Sequence, residues 1–244
     1  MIAAPWSYGV KVTPHGAGQG WSDWVADFDV AENEVFSIFY TRSVWRAMTQ
    51  VFEASAAGRH VTIHNYLVPT YVATAVTAIR READRDTRTT SIWRLLERLK
   101  SPTLATRSHF VSSYVSRFDV AEREAERAFD RFAPNGEAHV SKSFVDSLQL
   151  RLTESVKEVR AYANTVVAHR QRPELESPIE LSFDELDRAI DNIGKLAQEL
   201  HELRHPGEKL ATASPVLDPA FLAAFREPLI HPGFVLRKGL GGLD

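Results

Sequence analysis

Apolar side chains recur at three- and four-residue spacing along most of this chain. From about residue 32 to 55 they are Val35, Phe36, Phe39, Val44, Trp45, Met48 and Phe52. That period puts them on one side of a 3.6-residue turn, so the segment reads as a wide-faced amphipathic helix with a central place in the fold. The same repeat returns five times. It predicts a helix over 61–84 interrupted by Pro69, a short helix over 91–100 presenting Ile92, Leu95, Leu96 and Leu99, and long helices over 105–132, 141–170 and 183–204. Chain breakers stand between them: Ala56-Ala57-Gly58, Ser101-Pro102, Pro134-Asn135-Gly136 and His205-Pro206-Gly207. Thr89 or Thr90 is the expected cap of the short helix, and Ser182-Phe183-Asp184-Glu185 has the capping-box pattern. No strand of consequence and no internal repeat is predicted. The expected fold is an all-α, up-and-down helical bundle with two irregular arms.

The arms are set by glycine and proline. Residues 1–20 hold Pro5, Gly9, Pro14, Gly16, Gly18 and Gly20, together with Trp6, Tyr8, Val10 and Val12, which suit docking on a surface. Val10-Lys11-Val12 offers at most a short strand. Residues 21–205 form the expected bundle domain, and 206–244 a C-terminal extension with one short helix through Phe221, Leu222 and Phe225. A chain of 244 residues buries roughly 70% of its unfolded surface, so no metal or disulfide staple is required. The absence of cysteine excludes disulfides, thiolate nucleophiles and cysteine-bound zinc, and fits a reducing cytoplasm. The N-terminus lacks the pattern of a signal peptide, and no run approaches 18 apolar residues, so a cytoplasmic chain with no membrane span is expected. The net charge of −3 gives no global positive field, so contact with nucleic acid would need a local basic patch.

The densest chemistry lies at Ala163-Asn164-Thr165-Val166-Val167-Ala168-His169-Arg170, late in the 141–170 helix. His169 there is either a helix-end histidine suited to the negative end of the dipole or a general acid/base. Asn164 stands five residues before it, about 140° around an ideal helix. Arg160 shares a stripe with Asn164, and Arg160, Arg170 and Arg172 are candidate phosphate-binding residues near His169. A second cluster, Arg80-Arg81-Glu82-Ala83-Asp84-Arg85-Asp86, reads as a solvated helix end, with an inward-pointing Arg80 or Arg81 as the alternative. His60 with His64, and His201 with His205, have a spacing seen in metal sites but lack a third ligand nearby, so no metal and no cofactor is expected. Phe36, Phe39, Tyr40 and Trp45 read as core. No glycine-rich phosphate loop and no nucleophile elbow is present.

The stretch from Ala163 to Arg170 resembles the hallmark of the HEPN superfamily (higher eukaryotes and prokaryotes nucleotide-binding domains), in its abortive-infection-like branch. That hallmark is an arginine with a polar neighbour, then a histidine four to six residues on, late in a bundle helix. Tyr71 to Asp84, Ser91-Ile92-Trp93-Arg94-Leu95-Leu96 and the capped helix from Ser182 also look similar, and the resemblance spans roughly 32–204. The family's arginine would fall at Ala163 or Asn164, and a tyrosine found in some toxin members is Gln171 here. Active members are metal-independent ribonucleases that pair across a two-fold axis. The resemblance therefore implies His169 as the proton carrier, Asn164 as a positioning group, an RNA substrate, a homodimer, and a defence or toxin–antitoxin setting. The alternative it implies is an inactive relative serving dimerisation or protein interaction, with the apolar arms Trp6–Trp24 and Phe221–Leu236 clasping a partner. A bundle that binds a small molecule or nucleotide, with no RNA role, is a third reading.

Overall fold

The computed structural model describes residues 20–54, 61–167 and 180–210, which form an all-α bundle. In chain order its α-helices are α1 (Trp21–Ala54), α2 (Val61–Glu82), α3 (Ile92–Leu99), α4 (Arg107–Phe118), α5 (Glu122–Phe129), α6 (Lys142–Ser155), α7 (Lys157–Tyr162) and α8 (Phe183–Arg204). A π-helical turn, Ala163–Val167, continues α7. Among the described residues the only β-type pairing is one isolated bridge between Thr106 and His139. The expected strand at 10–12 and the helix near 221 lie outside the described residues.

The core follows the helical stripes. α1 buries Trp24, Phe28, Ala31, Val35, Ile38 and Phe39, and α2 buries Tyr71, Ala75, Val76 and Ile79. α8 adds Leu186, Ile190, Ile193, Ala197 and Leu200. All four apolar residues of α3 are buried, each contributing on the order of 1.5–3 kcal/mol. α1 packs on α2, α3 and α8, while α6 packs on α3 and α8. Phe36 is the exception to the expected aromatic core, at 45% exposed. Serine and threonine start the helices. Ser91, Thr106, Ser141 and Ser182 each accept a backbone N–H three residues on, and Ser182 with Glu185 forms the full reciprocal box. Ser91, rather than Thr89 or Thr90, caps α3.

Polar pairs set how α1 meets α8. Asp29 pairs with Arg204, Glu32 with His201, Arg42 with Asp191 and Arg46 with Asp187. These four pairs keep one constant antiparallel register. Their polarity also reverses along the interface: acids lie on the N-terminal half of α1 and arginines on the C-terminal half. A parallel pairing would bring Asp29 and Glu32 toward Asp187 and Asp191, so the charges select against it.

Three helix boundaries depart from the periodicity. α1 begins at Trp21, well before residue 32, because Trp21, Trp24 and Phe28 extend its buried stripe. The predicted 105–132 helix is two helices. Asp119, at φ 51°, closes α4 in the left-handed conformation, with its N–H on the carbonyl of Val115 at 3.0 Å. The predicted 141–170 helix is broken at Val156, whose φ and ψ are −105° and 6°. Glycine adopts the conformation of Asp119 without steric cost. Asp119→Gly should therefore stabilise the protein by about 0.5–1 kcal/mol in urea unfolding. A loss of similar size would show that the aspartate side chain itself holds this turn.

Candidate functional site

The α7 end is built by alternating burial. Val159 and Ala163, four apart, are 1% and 2% exposed and face the bundle, where α7 and the π turn lie against α2. That orientation sends Arg160 and Asn164 outward; Arg160 is half-buried and Asn164 exposed. Neither side chain has a hydrogen bond or ion pair among the described residues. Thr165 spends its hydroxyl locally, donating to the carbonyl of Ala161 at 2.9 Å. His169, Arg170 and Arg172 lie outside the described residues. Asn164 therefore sits in the second position of a π turn, a distortion that occurs often at functional sites.

The arginines of the second sequence cluster lie on a solvated helix end, as the first expectation has it, and Glu82 departs from it. Arg80 and Arg81 are both exposed, and Arg81 forms an ion pair with Glu34 of α1. The inward residue is Glu82, 1% exposed. Its Oε2 accepts the N–H of Ile92 at 3.2 Å, at the start of α3, while Oε1 is buried without a partner. Burial pushes this carboxyl up from 4.5 to about 8, opposed by the Ile92 N–H; the Glu34 charge raises it further and Arg81 counters. Its register could have revealed it, since Glu82 is three residues past Ile79 on the buried stripe of α2.

At the far end of α8 lie His201 and His205; among the described residues no group of three or more metal-type ligands is found. His201 instead meets Glu32 of α1, with Nδ1 2.6 Å from Oε1. Its Nε2 is buried and has no hydrogen-bond partner. Burial, then the Arg204, His201 and Arg117 charges, hold His205 below the usual histidine range.

The middle of the α1–α8 seam carries a buried arginine. Arg42 Nη1 is 2.7 Å from Asp191 Oδ1 and its guanidinium lies over Phe39, while Nε has no partner. Beside it Trp45, Tyr71 and Phe183 stack. Burial, with the Asp187 charge, pushes the Tyr71 hydroxyl up to about 12, so it stays protonated. A groove of about 450 Å³ between α1 and α2 is lined by small residues such as Ser37, Thr41, Ala73 and Thr77, together with the Glu34–Arg81 ion pair. No helix among the described residues is long and apolar enough to cross a membrane.

Compared with known proteins, the chain matches no family model, no curated protein and no solved structure.

Proposed function

We propose that this helical protein binds RNA, and cleaves it without metal, at the end of α7. In this reading His169 is the general acid/base and Asn164 positions the substrate, while Arg160, Arg170 and Arg172 hold phosphate. The reaction would be attack of a ribose 2′-hydroxyl on the adjacent phosphate, with a proton removed from the hydroxyl and one returned to the leaving oxygen. The observation that carries it is the π turn at Ala163–Val167, with Asn164 on it and Arg160 just before it, both turned outward and without a hydrogen bond or ion pair among the described residues. An α-helical register sets positions five apart about 140° from one another. The i→i+5 register of Ala163–Val167 departs from that relation. A homodimer, a cytoplasmic location and a role in defence or a toxin–antitoxin pair belong to the same proposal.

One observation favours a second reading, an inactive relative that works as an interaction module through its apolar arms. Ala163, one of the two positions at which the family's arginine would fall, is packed in the core against α2, and the other holds Asn164. A side chain at 163 faces the bundle rather than solvent, and neither position carries an arginine.

The purified full-length chain with a chelator present should degrade single-stranded RNA. His169→Ala should lower the rate about 10²–10⁴-fold while leaving thermal unfolding unchanged. Cleavage that persists in this variant, or a wild-type chain that neither cuts nor binds RNA, would overturn the ribonuclease reading. In the latter case, an oligomer that dissociates when residues 1–20 are deleted would favour the interaction module.

A further inference from the structure

After α8 the chain folds back on the helix it has just left. Gly207 makes the bend, with φ +77°, and a Cβ there would lie 2.9 Å from the Phe118 ring at the end of α4. A side chain is thus disfavoured both by conformation and by space. One amide side chain clamps the returning strand. Gln198 Nε2 donates to the carbonyl of Glu208 at 3.1 Å, and the N–H of Leu210 donates to Gln198 Oε1 at 2.7 Å. The Glu208 carboxylate pairs with Arg117 of α4.

His201 lies beneath this turn, 8% exposed. Beside the Glu32 carboxylate the neutral ring is assigned the Nδ1–H tautomer, which leaves Nε2 as a bare lone pair. That nitrogen points toward a second carboxylate: Nε2 is 3.8 Å from Glu208 Oε2, beyond hydrogen-bond distance. A buried acceptor nitrogen therefore faces a partly exposed carboxylate. The surrounding charged and titratable groups come from every adjoining element. They are Asp29 and Glu32 on α1, Arg204 and His205 on α8, Arg117 on α4, and Glu208 on the turn. Arg204 and Arg117 are already paired with Asp29 and Glu208. The His205 ring lies 5.0 Å from that of His201.

We propose that His201 is a proton-gated latch for this return turn, closing on Glu208 when Nε2 takes up a proton from solvent. Protonation converts two opposed acceptors into an N–H donor facing a carboxylate. The resulting imidazolium is held between Glu32 and Glu208, with charge-assisted hydrogen bonds at both nitrogens. Acidification then tightens the segment 205–210, from which the rest of the chain departs. His205 does not substitute, because its environment delays its own protonation to more acid pH. The latch stands apart from the proposed RNA site and does not depend on it.

Amide hydrogen exchange of the full-length protein tests this at pH 8 and pH 5.5, after correction for intrinsic exchange. Protection of the Glu208 and Leu210 amides should rise about tenfold on acidification in the wild type, which corresponds to about 1.4 kcal/mol. The rise should vanish in His201→Gln and in Glu208→Gln, and persist in His205→Gln. Equal protection at the two pH values in the wild type would overturn the latch. So would a rise that survives Glu208→Gln, or one that disappears in His205→Gln. Glu208 is partly exposed, so its variant keeps the test decisive even where His201→Gln fails to fold.

Discussion

Glu82→Gln should make the protein more stable at neutral pH, by about 1–3 kcal/mol, and the gain should widen as pH rises from 5 to 8. The cause is a carboxyl that the fold keeps protonated. Glu82 is 1% exposed, and burial raises its carboxyl from 4.5 to about 8. Between these values the folded state holds a proton that the unfolded chain has released. Stability must then fall with rising pH, by about 1.4 kcal/mol per pH unit, reaching about 3 kcal/mol near pH 7. The contribution is fully present below pH 4.5, is lost as pH climbs through 8, and changes little beyond.

Glutamine has almost the same shape and never ionises. Its carbonyl oxygen can still accept the Ile92 N–H, as Oε2 does now at 3.2 Å. Its amide nitrogen would occupy the place of Oε1, which is already buried without a partner. The variant therefore adds no orphan group beyond the one present, and only the ionisation penalty disappears. Urea unfolding of both proteins at pH 5, 6, 7 and 8 measures this. A stability difference that does not change with pH would mean that Glu82 is ionised in the fold and that its burial is relieved by water.

Most of the helical architecture could be read from spacing alone, and the parts that could not have physical reasons. Apolar residues at 3.6-residue intervals reveal a stripe, so α8 and its capping box were plain from Ser182 onward. Periodicity is blind to a break that keeps the stripe. Phe118, Ala121 and Ala125 continue the pattern across Asp119, where the backbone turns left-handed with no glycine or proline to announce it. The same holds at Val156, which is buried and in register but lies outside helical dihedrals. Polar residues on a buried stripe were missed for a related reason. Glu82, His201 and Arg42 each occupy a core register, and each leaves one atom without a partner. A sequence reading scores them by residue type, as surface charge or metal ligand, whereas their neighbours across the bundle decide their chemistry. The π turn left no mark in composition either. It was Asn164 that drew attention to that segment, and the turn adds a local geometry that residue spacing does not encode.

These buried polar groups share a setting. Arg42 and His201 lie on the α1–α8 seam, and Glu82 ties the end of α2 to the start of α3. Each couples two helices through one or two hydrogen-bonded contacts that apolar packing could supply with more stability. What such contacts add is register: the reversed polarity along α1 and α8 admits one antiparallel alignment. The cost is sensitivity to pH at Glu82, and the His201 latch rests on the same property.

Trp24→Ala should be the most damaging single change considered, with an expected loss of about 3–5 kcal/mol. Trp24 is fully buried near the start of α1, in a stretch that glycine-rich sequence precedes and that lies before residue 32, where apolar spacing first signals a helix. Its ring stacks on Trp21 at 5.0 Å and on Phe28 at 5.4 Å, and its Nε1 donates to the carbonyl of Leu95 in α3 at 3.1 Å. The bond and the stacking can be separated. Trp24→Phe keeps an aromatic face against both neighbours and removes the indole donor, so it should cost about 1–3 kcal/mol, the range for an unmet buried acceptor. The further loss on going to alanine measures packing and the cavity left behind. Equilibrium denaturation of the three proteins reads both steps. A loss below about 1 kcal/mol in the alanine variant, small for any core tryptophan, would place the first turns of α1 outside the cooperative core. The bundle would then begin nearer residue 32, where apolar spacing first becomes evident in the sequence.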